Sequence, residues 1–420
     1  MGKSKTEKKG WIISLIGALF FFYAFIQANV LTPLSGEISK AFDANASSLS
    51  FLSAWYFYAN ILFIIPAGLL LDRYSVRVLM ACGIIVTVIG TFMLAFAPDI
   101  VVGYFGRFLC GIMMSFGLIS CLKLASLLLP PSKMALASSL IVTIGMIGGV
   151  FSQAPIAYLN QHLGWRGALV TLAFIGIFIA ILLWFIVRAP KSHKMHQEAS
   201  KLTIWDSLKQ VFNNKQNWYC GFFTSLINFP VAILGALFGV PYLTQVHGFQ
   251  YMEASAITSM LFLGMILGSP FFGWLSDHMK RRKRPMYLGA ICSLVFIFIL
   301  IYATQIDSFK GYLLFFLIGV TSASQVLGYP VIAESNAPRI SGTALSLAAF
   351  IIMGLGYGVG LPFVGWILDL TWDGQIVDGL NLYSIVSYQK ALLTLPLAMI
   401  VGILMIFFMK ETNCKTIYKK

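Results

Sequence analysis

Twelve apolar runs, each long enough to cross a lipid bilayer, follow one another along this chain with little between them. They lie at about 11–34, 49–71, 76–97, 100–128, 134–158, 166–188, 217–242, 253–276, 286–304, 311–333, 342–368 and 390–409. A membrane-spanning helix needs roughly 17–25 predominantly apolar residues. With 59% of its 420 residues hydrophobic and only 10% charged, the chain cannot be a soluble globular protein. The runs predict an all-α membrane protein whose core is the packed helix bundle itself.

The cations are one-sided. If the N-terminus is cytoplasmic, alternate segments on that side hold 23 of the 29 Lys and Arg residues, including Lys3, Lys5, Lys8 and Lys9 and the five cations at 280–284. The other side has only Lys40, Arg166, Lys310 and Lys390. The positive-inside rule therefore predicts that both termini are cytoplasmic. The net charge of +14 reflects this sidedness and contact with anionic lipid headgroups, not binding of nucleic acid. The six cysteines show no paired spacing and read as free thiols.

The chain also repeats. At an offset of 207, Pro131, Ala137, Ser139, Leu140, Met146, Gly149 and Pro155 meet Pro338, Ala344, Ser346, Leu347, Met353, Gly356 and Pro362. Two six-helix halves are expected, residues 1–188 and 217–420, with a cytoplasmic linker at 189–216. Between the second and third runs stands Gly68-Leu69-Leu70-Leu71-Asp72-Arg73-Tyr74-Ser75-Val76-Arg77. A relative returns 205 residues later as Gly273-Trp274-Leu275-Ser276-Asp277, followed by Lys280, Arg281, Arg282, Lys283 and Arg284.

These two loops resemble the signature loop of the major facilitator superfamily, although that family usually has Gly where Ser75 stands, and His278 replaces the first copy's Arg73. The resemblance covers residues 10–410 and implies twelve helices in two pseudo-symmetric bundles around a central site. It also implies that Gly68 and Gly273 allow close helix approach. Asp72, Arg73, Arg77, Asp277 and Arg281 would then lock helix ends together. More loosely, the first five runs resemble a bacterial branch related to lysosomal dipeptide carriers. The glycines Gly145, Gly148 and Gly149, with Gly354, Gly356, Gly358 and Gly360, suit close and sliding helix contact as well as ordinary tight packing.

Ionisable residues within a bilayer are costly and are functional candidates by default. The runs hold no His, and all fifteen acids fall in loops or at helix ends, the nearest being Glu37, Asp99, Glu253 and Glu334. Only Arg107 and Lys123, both in the fourth run, are buried cations by sequence. Arg107 lies about 10 Å along its helix from the outer end, at roughly 1.5 Å per residue, which makes snorkelling awkward. Arg107-Phe108-Leu109-Cys110-Gly111 is similar to the superfamily's fourth-helix motif, which implies a cavity-facing cation. The alternative is an Arg satisfying backbone carbonyls or a helix-end acid such as Asp99. Lys123 either contacts substrate or snorkels to headgroups. Tyr23 with Gln27, and Gln325 with Tyr329, each share a helix face at i and i+4. They line the cavity if the resemblance holds, as do Asn228, Tyr357 and Gln153. Each could equally make an interhelical hydrogen bond.

The expected function is secondary transport by alternating access in a bacterial inner membrane or an organelle membrane, by a monomer without cofactor or metal. The cargo expected is a small carboxylate-bearing solute: an organic acid, an amino acid or short peptide, or a polycarboxylate siderophore. A multidrug exporter and a transport-inactive sensor on the same fold are the rivals. An enzyme is not expected, because the runs lack any acid/base or metal constellation. Lacking a buried carboxylate, the carrier is expected to work as a uniporter, an exchanger or an anion exporter, without a proton bound in mid-membrane.

Overall fold

The structure is a computed structural model that describes residues 2–129, 134–187, 204–303, 305–377 and 380–416. Most of the expected linker, residues 189–203, lies outside the described residues, with the cations Lys133, Arg188, Lys191, Lys194 and Lys201. Two compact units emerge, one from Met1–Lys194 with Asp378–Leu380 and the other from Met195–Val377 and Asn381–Lys420.

In the first unit, α1 (Gly2–Gly17) runs into α2 (Leu19–Asn29), followed by a 3₁₀ turn and a short α3 (Ser35–Phe42). Then come α4 (Ala46–Arg73), α5 (Val76–Ala95), α6 (Ile100–Leu128), α7 (Met134–Phe151) and α8 (Ala154–Ile186). The second unit begins with α9 (Ile204–Asn213), α10 (Lys215–Ile227), a π-helical stretch Val231–Phe238 and α11 (Gly239–His247). It continues through α12 (Tyr251–Met279), α13 (Lys283–Tyr302), α14 (Ser308–Ser322), a 3₁₀ segment Ala323–Leu327 and α15 (Gly328–Glu334). Next are α16 (Pro338–Ile351), a second π stretch Ile352–Val359, α17 (Gly360–Leu370), α18 (Ile385–Leu392) and α19 (Thr394–Phe408). The one exception to the all-α expectation among the described residues is a two-stranded ribbon of two-residue strands, β1 (Ile376–Val377) and β2 (Leu380–Asn381), in the loop after α17.

Among the described residues, ten stretches are each long and apolar enough to span, and α10 with the helix beyond its bend makes an eleventh. One of the ten, Leu136–Ile186, has 51 residues, or about 75 Å of helix against a bilayer core of about 30 Å. It is interrupted at Ser152 and Gln153, and again at Gly164, whose φ of 69° only glycine adopts readily. It therefore holds two of the twelve predicted runs. The seventh run was expected to be continuous over 217–242. Instead it bends by 44° between Ile227 and Val231. Pro230 sits at that bend and has no N–H to continue the helical ladder.

Polar residues just outside the spans set where the helices begin. Side chains of Asn45, Asp99 and Asp307 accept the N–H groups of Ser48, Val102 and Lys310, each at 2.9 Å. Ser75 and Ser384 do the same for Val78 and Ser387, each at 3.3 Å. Each cap satisfies one of the four N–H groups that a helix start leaves without an internal partner. Close approach is made where small residues were expected in α7: a Cβ on Gly148 would collide with the Phe22 carbonyl of α2. At Gly68 and Gly273 the expected close approach is not made, because a Cβ there would meet nothing within 4 Å.

Candidate substrate site and helix-end latch

In α6, Arg107 and Gly111 are one helical turn apart, and both face Tyr56 of α4. A Cβ on Gly111 would fall on the Tyr56 carbonyl, so glycine is what lets α6 lie against α4 here. That approach slides the Tyr56 ring beneath the guanidinium, 4.7 Å from Arg107 Cζ to the ring centroid. Tyr56 is held in turn by donating its hydroxyl to the Ala24 carbonyl at 2.7 Å. Arg107 Nη1 donates to the Gln27 carbonyl at 2.6 Å. The residue is 0% exposed, yet among the described residues its Nε and Nη2 have no hydrogen-bond acceptor. It makes no ion pair among the described residues.

Asp99 is not its partner, contrary to one expectation, because that carboxylate caps the start of α6. The other membrane-edge acids are also engaged. Glu37 accepts the N–H of Trp165 at 3.1 Å, Glu253 accepts the Ser308 hydroxyl, and Glu334 pairs with Arg282. Arg107 is thus a buried cation with one carbonyl, one aromatic face and two donors still open. An unsatisfied buried polar group costs about 1–3 kcal/mol, and more when charged.

The Tyr23–Gln27 pair forms as its spacing predicts, with Gln27 Nε2 donating to the Tyr23 hydroxyl at 3.0 Å. Both side chains are then spent on other helices. Tyr23 donates to the Leu172 carbonyl of α8 at 3.0 Å, and Gln27 to Thr91 of α5 at 2.9 Å. Gln27 reaches Arg107 through its backbone. Lys123 donates to the Leu71 carbonyl near the end of α4, a contact to a neighbouring helix that was not among the two roles expected for it. Gln153 donates to the Ser152 hydroxyl at the break after α7.

In the second unit, three elements leave α geometry and a polar cluster forms where they do. Gln325, in the 3₁₀ segment, donates to Asn228 Oδ1 at 2.8 Å, and Asn228 Nδ2 donates to the Tyr357 hydroxyl in the second π stretch at 3.4 Å. The displaced carbonyls find hydroxyls on α10: Thr224 donates to Gln325 O and Ser225 to Ile351 O, each at 3.3 Å. Irregular backbone at membrane depth is tolerated only where such groups are re-satisfied or line a cavity. Tyr329 is not in this cluster of bonds and is 38% exposed. Nothing in the sequence periodicity marks the π stretches, whereas Pro230 marked the break in the seventh run.

The second signature loop is built around a residue that the motif comparison missed. The α12 helix ends at Lys280, whose left-handed backbone (φ 50°) turns the chain back and leaves Arg281 exposed. Arg282 comes inward instead. It pairs with Asp277 at 2.8 Å and with Glu334 of α15 at 2.7 Å, and donates to the Ser276 hydroxyl at 2.9 Å. Thr412 adds a bond to Glu334 at 2.5 Å. Glu411, just past α19, accepts the backbone N–H groups of Arg282 at 2.8 Å and Lys283 at 3.0 Å. Burial pushes the Glu411 carboxyl up, but these donors outweigh it and hold its pKa below the usual value. Its contribution to stability is therefore present above the ordinary glutamate pKa of about 4.3 and fades only as pH falls below that. Thus Arg282, not Arg281, is the locking cation. The signal was available, since Arg282 follows Asp277 by five residues as Arg77 follows Asp72. In the first loop, Arg77 lies over the Trp184 ring at 4.4 Å. The side chains of Asp72 and Arg73 lie outside the described residues.

Tyr56 gives a graded test of how Arg107 is held. Tyr56→Phe keeps the ring and loses the bond to Ala24, and should lower stability by about 1 kcal/mol while leaving solute affinity near normal. Tyr56→Leu also removes the cation–π contact, worth about 0.5–2 kcal/mol, and should weaken solute binding as well. Thermal unfolding and transport KM of the two variants, side by side, separate the contributions.

The family model of the Major Facilitator Superfamily matches residues 16–361. The chain is 22% identical to the probable galactarate/D-glucarate transporter GudP of Escherichia coli, over 89% of this chain and 91% of that one. It is also 22% identical to a gentisate transporter of Corynebacterium glutamicum, over 90% and 85% of the two chains. Among solved structures it is similar to a bacterial homologue of the human lysosomal transporter Spinster in an inward-facing, unoccupied conformation. There the TM-score is 0.82 and the identity 16%, with 96% of this chain and 97% of that one covered.

Proposed function

Since the chain belongs to the major facilitator superfamily, and is an integral multi-pass secondary transporter and not an enzyme, we propose that it carries a small organic acid gripped through a carboxylate by Arg107. The single observation behind this reading is the fully buried guanidinium with Nε and Nη2 open. Those two nitrogens can donate in parallel to one carboxylate, the bidentate geometry that arginine offers and a point charge does not. A cationic cargo would meet repulsion at this site. The two named relatives support the class, because galactarate, D-glucarate and gentisate are all carboxylates. Amino acids, short peptides and polycarboxylate siderophores fall within the same chemistry.

Alternating access, with both termini cytoplasmic in a bacterial plasma membrane, completes the proposal. Uptake of radiolabelled D-glucarate and gentisate into proteoliposomes tests it. Saturable uptake competed by unlabelled organic acids is expected. Saturable binding without uptake would point to a sensor, and competition by hydrophobic cations to a drug exporter.

In the first signature loop, Asp72→Asn is expected to slow transport while leaving the order of competing solutes unchanged, because a helix-end lock biases conformations without touching the cargo. A changed competition order would assign Asp72 to the solute instead.

A further inference from the structure

We infer that α9 is an interfacial helix that binds anionic lipid at the cation-rich end of the second unit, and that this contact steadies the Arg282 latch. That end also bears the exposed cations Lys280, Arg281 and Lys410.

The side chains of α9 divide by face. Val211 is fully buried on the side where the helix packs on α10 and α16. Leu208 and Phe212, one turn apart, lie about 60–100° round the helix from it, and Phe212 is 50% exposed. Lys209 follows about 60° beyond Phe212, and Gln210 and Asn213 complete an exposed polar back. A helix with one apolar face, a cation at its margin and a polar back is built to lie in the plane of a bilayer surface.

Continuity and charge say what covers the apolar face. The Phe212 ring meets Trp218 edge-on at 5.4 Å, and Trp218 stacks on Phe222 at 6.1 Å, both on α10 where a membrane span begins. Tryptophan near the end of a span sits at headgroup level. Its indole N–H donates to the Phe212 carbonyl at 2.8 Å, which holds α9 at that depth. Residues 191–215 carry five lysines against the two acids Glu198 and Asp206, and Lys209 and Lys215 are exposed beside the aromatic strip. An apolar face alone would suit any hydrophobic partner, whereas lysines on its margin select an anionic lipid surface.

The same helix is tied to the latch through buried asparagines. Asn217 Nδ2 donates to the Val211 carbonyl at 2.9 Å, satisfying one of the carbonyls that the end of α9 leaves open. Asn214 donates to the Ser335 carbonyl and to Asn336 Oδ1, each at 3.0 Å, and Asn336 donates to Asn217 Oδ1 at 2.6 Å. Ser335 and Asn336 follow directly on Glu334, the carboxylate that holds Arg282. A lipid-held α9 therefore restrains the turn that presents Glu334.

The test uses the purified full chain in detergent micelles, titrated with brominated phosphatidylglycerol or brominated phosphatidylcholine, which quench tryptophan on contact. A Trp218→Phe variant defines the share of quenching that belongs to Trp218. Half-maximal quenching of that share is expected at roughly 30-fold less phosphatidylglycerol than phosphatidylcholine, because each of two lysines near an anionic lipid contributes about fivefold in affinity. Lys209→Gln combined with Lys215→Gln should erase the difference. Hydrogen exchange at the N–H groups of Arg282 and Lys283, which Glu411 accepts, reads the latch in parallel. Phosphatidylglycerol should slow that exchange, and Asn214→Ala should keep the quenching but lose the slowing. Equal quenching by the two lipids, or quenching of Trp218 by neither, would overturn the lipid site. Quenching by phosphatidylglycerol with unchanged exchange at Arg282 would overturn the link to the latch.

Discussion

Arg107→Ala should abolish transport of a carboxylate solute while leaving the protein folded and inserted. Removing one partner of a desolvated charge pair costs about 2–5 kcal/mol, or roughly 30-fold to several-thousand-fold in affinity. Arg107→Lys should fail nearly as badly, because an ammonium cannot present two parallel donors in a plane. Stability is expected to move differently from affinity. Among the described residues this cation has two open donors and no counter-ion, so Arg107→Met, which keeps much of the volume and drops the charge, should unfold at the same temperature or higher. A purely structural arginine would give the reverse pattern: a lower unfolding temperature and near-normal transport.

The second large effect is expected at Arg282. Its side chain is only 10% exposed and that of Glu334 15%, so Arg282→Ala strands a largely buried carboxylate with little beyond the Thr412 bond. Breaking a buried pair costs about 3–5 kcal/mol, and the location at a helix end, within reach of water, places this one toward the lower figure. The expected result is a clear fall in unfolding temperature and a reduced maximal rate, with KM unchanged because no solute is touched. Arg281→Ala is the control, since that side chain is exposed and should be silent. Asp277→Asn should cost little, because Asp277 is 71% exposed and an exposed ion pair contributes about 0–1 kcal/mol. If Arg281→Ala matched Arg282→Ala, the latch as described would be wrong.

Sequence reasoning reached the architecture because a bilayer demands long apolar helices, and such helices are written as unbroken runs. It singled out Arg107 as a candidate for the same reason, since a lone guanidinium in an apolar run has few explanations. It missed Tyr56, because an aromatic inside a hydrophobic run carries no pattern that separates a cation's platform from ordinary packing. The continuous seventh run was misread at Pro230, where the missing N–H was the clue. Choosing Arg281 over Arg282 ignored the five-residue spacing from Asp277 that the first loop had already set. Glu334, Glu411 and Thr412 come from the ends of other helices, and no spacing along the chain links them to Arg282. Tyr23 and Gln27 were correctly paired by helical period, but period cannot say that Leu172 and Thr91 would take up their remaining bonds.

The central claim is that a buried, unneutralised Arg107 selects a carboxylate. Calorimetric titration of the purified protein and its Arg107→Met variant tests it most directly, with D-glucarate, gentisate and the uncharged polyol galactitol as ligands. Saturable binding of at least one of the acids by the unmodified protein, its loss in Arg107→Met, and no binding of galactitol by either form are predicted. Equal affinity of the two proteins for the acids, or binding of galactitol as tight as that of glucarate, would contradict the account.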